Sequence, residues 1–178
     1  MNTPLAKPVL IVLIGPPGSG KTTWARQNGR GVVHVSQDDL IDAITPNGFE
    51  HAYREIYARA ENAIARAALL DGHTVIVDRT NRTRKHRRRW VVIASECECM
   101  ALAVEMTTPP ALCRARNAAR EDYRRVSDER MERMFAALEP VGAGEGFAAI
   151  FNETHSLHEI LAQLEKEKAT DEHCHQTR

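Results

Sequence analysis

The chain has 178 residues, 43% of them hydrophobic, with 24 Lys and Arg against 24 Asp and Glu. That length and composition suit one globular domain of ~100–200 residues and exclude a mostly disordered protein. The balanced charge excludes a chain-wide positive field, but residues 79–133 hold 14 basic and 8 acidic side chains (net +6), whereas residues 139–178 hold 3 and 8 (net −5).

The first apolar run, residues 9–14, is short and feeds a glycine loop, so it reads as a buried strand rather than a signal peptide. A helix over 21–27 follows, then a strand over 32–35, helices over 39–44 and 50–71, and a strand over 74–77. Beyond it come a helix over 83–96, a strand over 100–106, helices over 110–121 and 127–138, a strand over 147–151 and a helix over 157–167. Ser156 with Glu159 forms a capping box, and Ser127 precedes the first-turn acids Asp128 and Glu129. Several strands are apolar throughout, as parallel strands covered on both faces must be. Strand and helix alternating along the chain predict an α/β fold: a doubly wound sheet of about five mostly parallel strands flanked by helices. Residues 1–168 read as one domain and 169–178 as a polar, flexible tail. No apolar run approaches the ~18 residues of a membrane span. The four cysteines form no C-x-x-C pair, and Cys97 and Cys99 are too close in sequence for an unstrained bridge. Reduced thiols and a cytoplasmic location are expected. His173, Cys174 and His175 lie among polar residues and read as part of the tail rather than a metal site.

Gly15 to Thr22 (GPPGSGKT) matches G-x-x-x-x-G-K-[ST] between a buried strand and a helix, where that motif must sit. Gly15, Gly18 and Gly20 let backbone N–H groups turn inward around an anion. Ser19, Lys21, Thr22 and Thr23 complete the loop and open the helix, whose free N–H groups face the phosphates. Lys21 is expected on the β- and γ-phosphates and Thr22 on Mg²⁺. The donor is ATP or another nucleoside triphosphate.

Ligands of a doubly wound sheet meet the carboxyl ends of its strands. Asp38 and Asp39 follow the second strand and fit either a helix cap plus a first-turn acid or a catalytic carboxylate facing the γ-phosphate. Asp78 ends the third strand, as a Mg²⁺-water ligand or as a strand-end turn residue. Residues 79–89 carry seven Arg and Lys, which is a solvated helix face on charge alone but lies at the active edge. Trp90, Val91 and Ile93 claim the buried side, so only part of the run can face a ligand. Arg116 and Arg120 are four apart, which on a continuous helix puts both on one face as a lid over transferring phosphate.

The set GPPGSGKTTWAR (15–26), VSQDD (35–39), DRTN (78–81) and Arg116-Asn117-x-x-Arg120 resembles the kinase domain of polynucleotide 5′-hydroxyl kinases, across residues 9–151. The resemblance implies ATP-dependent phosphorylation of the 5′-OH end of DNA or RNA. It makes Asp38 the general base, with Lys21 and Arg120 catalytic. Arg116 and Arg120 would close over the nucleotide, Asp39, Arg79, Thr80, Asn81 and Arg82 would adjoin the acceptor, and Thr22 with Asp78 would hold the metal. The sequence departs from phage-type members at Ile41, where they carry an Arg. The alternative is a P-loop kinase acting on a small-molecule hydroxyl of a metabolite, nucleoside or antibiotic, and a non-kinase nucleotide-binding protein is a third reading.

Overall fold

A computed structural model describes residues 7–176, with side chains to Lys166. His173, Cys174 and His175 therefore have side chains outside the described residues. Five strands form one sheet: β1 (Val9–Ile14), β2 (Val33–Ser36), β3 (Val75–Asp78), β4 (Met100–Glu105) and β5 (Ala149–Asn152). Their spatial order is β2-β3-β1-β4-β5, and every pairing is parallel. Seven α-helices connect and follow them: α1 (Lys21–Asn28), α2 (Gln37–Ile44), α3 (Arg54–Leu70), α4 (Arg84–Glu96), α5 (Pro110–Ala118), α6 (Asp128–Ala136) and α7 (Leu157–Gln176).

The central strand explains the two-sided architecture. Successive side chains of a strand point to opposite faces, and all six of β1 are buried. Leu10, Val12 and Ile14 enter one core with Ala65, Ala68 and Leu69 of α3 and Trp90, Ile93 and Ala94 of α4. Val9, Ile11 and Leu13 enter the other with Trp24 and Ala25 of α1 and Leu157, Ile160 and Leu164 of α7. A central strand with no polar face can exist only between two such layers.

Several expected boundaries move. The second and third strands run one residue further, because Ser36 pairs in register with Asp78. The long helix predicted over 50–71 is split into a 3₁₀ turn, His51–Tyr53, and α3. The helix predicted over 110–121 stops at Ala118. Its buried Asn117 bonds Val126 both ways (Nδ2 to the carbonyl, 2.7 Å; amide N–H to Oδ1, 3.1 Å), folding the chain back. The Ser156–Glu159 capping box is present, with Ser156 N–H donating to Glu159 at 2.7 Å and Glu159 N–H to Ser156 Oγ at 3.3 Å. Ser127 caps α6 by position alone, without a side-chain bond.

Candidate active site

The carboxyl ends of the strands bring the motifs together. β1 delivers Gly15, whose N–H donates to the Thr80 carbonyl beyond β3 at 3.0 Å. Gly18 has φ +78°, and a Cβ there would lie 2.3 Å from the Cys113 carbonyl oxygen, so the loop cannot take a side chain at that position. Gly20, also left-handed, opens α1 with no side-chain cap and no acid in the first turn. The helix therefore presents free N–H groups where an anion can replace a cap.

Lys21 is almost fully buried inside this loop, its ammonium donating to the Pro16 carbonyl at 2.8 Å and to Ser19 Oγ at 3.3 Å. Burial lowers its pKa to about 8, with Arg120 adding to the fall and Asp78 and Asp38 opposing it. An anion arriving in the loop would restore the charge that burial disfavours. Asp78 is equally buried, and burial alone would raise its pKa. Hydrogen bonds from His34 (Nε2 to Oδ2, 3.3 Å) and Thr22, with the charge of Lys21, overcome that and hold it below the ordinary carboxylate range. An ionised carboxylate bonded to the Thr22 hydroxyl is an all-oxygen donor pair that suits Mg²⁺, which keeps waters and phosphate oxygens as its other ligands. No cluster of three or more His, Cys, Asp or Glu arranged for a metal exists among the described residues, so Asp78 and Thr22 fit a shared ion and not a protein cage.

Asp38 sits in the first turn of α2, which Ser36 caps by accepting the Asp39 N–H at 3.2 Å. Partial desolvation and then the Asp78 carboxylate push its pKa up, while Arg120, Arg124 and Lys21 pull it down. Two carboxylates and three cations thus act on one another at the sheet edge, the arrangement that tunes a group for proton transfer. Asp38 and Asp39 are both exposed, and the Ile41 side chain is buried and offers no polar contact. Arg124, just beyond α5, bonds Asp42 of α2 at 2.7 Å and links the lid segment to the helix bearing Asp38.

A cleft of about 610 Å³ runs from Gly18, Ser19, Gly20, Lys21, Thr22 and Thr23 to Met106, Thr108, Arg116, Arg120 and Glu153. Arg116 Nη1 lies 3.4 Å from the Gly18 carbonyl. Both lid arginines line this space, but helix periodicity does not put them there: Arg120 lies past the end of α5, its N–H bonded to the Asn117 carbonyl at 3.2 Å. On the other side, the start of the loop after α2 is anchored, with Thr45 Oγ1 2.6 Å from Tyr57 Oη. Beside it is a hollow of about 300 Å³ lined by Ile44, Pro46, Glu50, Tyr53 and Ile56 among others.

The basic run divides by role. Arg79 turns to Glu61, a fully buried carboxylate of α3, which Arg89 also reaches. Asn81, expected beside the acceptor, is buried with φ +43°, its amide donating to the Leu13 carbonyl at 2.8 Å and accepting from Trp90 Nε1 at 3.1 Å. That side chain is spent holding β1, β3 and α4 together and has no donor to spare for an acceptor. Arg87 is fully buried: it binds both oxygens of Glu145 (2.7 and 2.6 Å) and the carbonyls of Asn81, Glu139 and Pro140. Thr80 and Arg82 remain at the rim, half-buried. Sequence reasoning passed over Glu61, Arg87 and His34. Only Glu61 carried a signal, as a lone acid on the α3 face formed by Tyr57, Ala65 and Ala68.

A sequence family described as AAA domain (AAA_33) matches residues 10–141. The chain is 27% identical over 139 residues to the L-seryl-tRNA(Sec) kinase of Methanococcus maripaludis, covering 75% of this chain and 54% of that protein. It is 28% identical over 113 residues to the bifunctional polynucleotide phosphatase/kinase of Schizosaccharomyces pombe, covering 62% of this chain and 24% of that protein. The match thus spans about half or less of either relative. Chaetomium thermophilum Kti12, solved with ADP-AlF3, shares the fold with a TM-score of 0.64 at 21% identity, covering 91% of this chain and 97% of that one. The chain belongs to the AAA domain family (AAA_33), and its fold is that of the P-loop kinases.

Proposed function

We propose that the protein is an ATP-dependent polynucleotide 5′-kinase, transferring the γ-phosphoryl group to the 5′-OH end of a DNA or RNA strand. The observation that carries this reading is the convergence of Lys21, Thr22, Asp78, Asp38 and Arg120 at one edge of the sheet, each bearing on the ionisation of another. The similarity to the yeast polynucleotide phosphatase/kinase supports the acceptor.

In this mechanism the triphosphate lies along the glycine loop, its β- and γ-oxygens held by Lys21 and the N–H groups of α1. Thr22 and Asp78 would hold Mg²⁺, which would supply charge neutralisation for the phosphates. Asp38 accepts the proton of the entering hydroxyl as its oxygen bonds to the γ-phosphorus, while the bond to the bridging oxygen breaks and ADP leaves with that electron pair. Arg116 and Arg120 screen charge on the transferring group, and Arg79, Thr80 and Arg82 rim the acceptor side. The unpaired thiols Cys97, Cys99 and Cys113 support a reducing, cytoplasmic setting.

The test is transfer of label from [γ-³²P]ATP with Mg²⁺ to a 5′-OH oligonucleotide, and absence of transfer at every oligonucleotide length overturns the reading. One observation favours the small-molecule alternative: the hollow beside α2 and α3, about 300 Å³, is the size of a small-ligand pocket. Salt separates the two, since affinity for a strand falls steeply with rising salt and affinity for a neutral hydroxyl compound does not.

A further inference from the structure

Two guanidinium groups share one buried carboxylate beside the end of β3, where α3 packs against α4. Arg79 Nη1 and Arg89 Nη2 lie 2.5 and 2.7 Å from the same oxygen, Glu61 Oε2. His86, in the first turn of α4, lies within the field of the same charges: desolvation, and then Arg82, Arg79, Arg89 and Arg54, lower its pKa. Glu61 is the carboxylate ion-paired to this group, and neither Arg54 nor Arg82 joins an ion pair among the described residues. Arg82 Nε is buried with no hydrogen-bond acceptor among them, a state that native structures seldom tolerate without a missing partner. Arg87, two residues before the end of the same run, has every donor direction filled, so packing alone does not force an Arg here to go unpaired. The side chains of Arg79 and Arg89 remain 24% and 26% exposed, so the group opens to solvent. Its place is also defined. Ser36 and Asp78 are register partners, so the chain leaving β3 toward Arg82 runs beside the turn bearing Asp38. The Gly15 N–H bond to Thr80 fixes that same segment to the phosphate loop.

We propose that Arg54, Arg79, Arg82, His86 and Arg89 form a second anion subsite, which takes a phosphate ester carried by the acceptor and is separate from the loop that holds the donor's phosphates. Guanidinium groups match phosphate oxygens through paired N–H donors, and an anion here supplies the counter-charge that Glu61 alone does not. Assignment to the acceptor rests on the kinase reading above; affinity for a phosphate ester does not. The ester is the phosphodiester next to a strand's 5′ end or a phosphomonoester on a small molecule.

The test is titration calorimetry of the full chain with its donor site saturated by a non-hydrolysable ATP analogue and Mg²⁺. Three probes are compared: adenosine, adenosine 3′-monophosphate and the 5′-OH dinucleotide ApA. At least one phosphate ester is expected to bind about tenfold or more tightly than adenosine, and Arg82→Gln to remove most of that preference. Arg54→Gln, at an exposed position, is expected to weaken it several-fold and keeps the test usable if the Arg82 variant misfolds. A stronger dinucleotide identifies a strand as the source, and a stronger monophosphate identifies a small molecule. Equal binding of adenosine and both esters, or a preference that survives both substitutions, overturns the subsite. If ester binding behaves as stated while no hydroxyl compound accepts label from ATP, the subsite stands and the kinase reading fails.

Discussion

Replacing Arg87 by Met should separate the structural part of the basic run from the rest. The substitution keeps side-chain length and removes five hydrogen bonds. It leaves the carbonyls of Asn81, Glu139 and Pro140 without this donor and strands Glu145, whose pKa the Arg87 bonds hold low. Breaking a buried pair from one side costs about 3–5 kcal/mol, and Glu145 then keeps only the Gly142 N–H, at 2.9 Å, as a hydrogen-bond partner among the described residues. With a urea dependence of about 2 kcal/mol per molar for a chain this size, the unfolding midpoint should fall by about 1.5–2.5 M. Adding Glu145→Gln should recover part of that loss, since the stranded charge is then gone. Urea unfolding followed by circular dichroism at pH 7 measures all three proteins. A fall of less than about 0.5 M for Arg87→Met would refute the reasoning and return Arg87 to the surface role that its neighbours suggest.

Binding of Mg²⁺-ATP should recharge Lys21, whose pKa is about 8 in the empty loop, so the protein should take up about half a proton per ATP at pH 8 and about a tenth at pH 7. Calorimetry in buffers of different ionisation enthalpy reads this directly, and zero uptake at pH 8 contradicts it. Because the pKa of Asp38 is raised, a base that must be ionised fails early as pH falls: transfer should decline from a point above the ordinary carboxylate pKa, and Asp38→Asn should be inactive across the range. Asp78 has the opposite shift, so its stabilisation is complete above the unfolded carboxylate pKa and is lost as pH falls through the lower folded value. Asp78→Asn should therefore flatten the acid limb of the stability curve in a pH series of thermal melts. Gly18→Ala should abolish nucleotide binding in a fluorescent-nucleotide titration while the fold persists, because the added carbon collides with the Cys113 backbone.

Much of this was legible in the residues. The six apolar positions of β1 and the GPPGSGKT loop fix a two-layered sheet with an anion site at its edge, because both depend on local pattern. The strand ends were less legible. Ser36 and Asp78 extend their strands through backbone pairing with each other, which polar side chains do not announce. The end of α5 was misjudged because the signal for stopping it, the bond between Asn117 and Val126, forms only after the chain has turned. Arg79, Arg87 and Arg89 look alike in sequence, and their partners Glu61 and Glu145 lie 18 to 58 residues away. Which arginine is structural and which is left for a ligand is decided by those distant carboxylates. The local charge pattern does not contain that information.

The most direct measurement is the rate of label transfer from [γ-³²P]ATP to a 5′-OH oligonucleotide by the unaltered protein and by Asp38→Ala, with ATP binding measured on both. The account predicts transfer by the former, and a rate about 10²–10⁴ lower for the variant at unchanged ATP affinity. Equal rates would contradict it, since the hydroxyl would then be activated by some group other than the carboxylate at the start of α2.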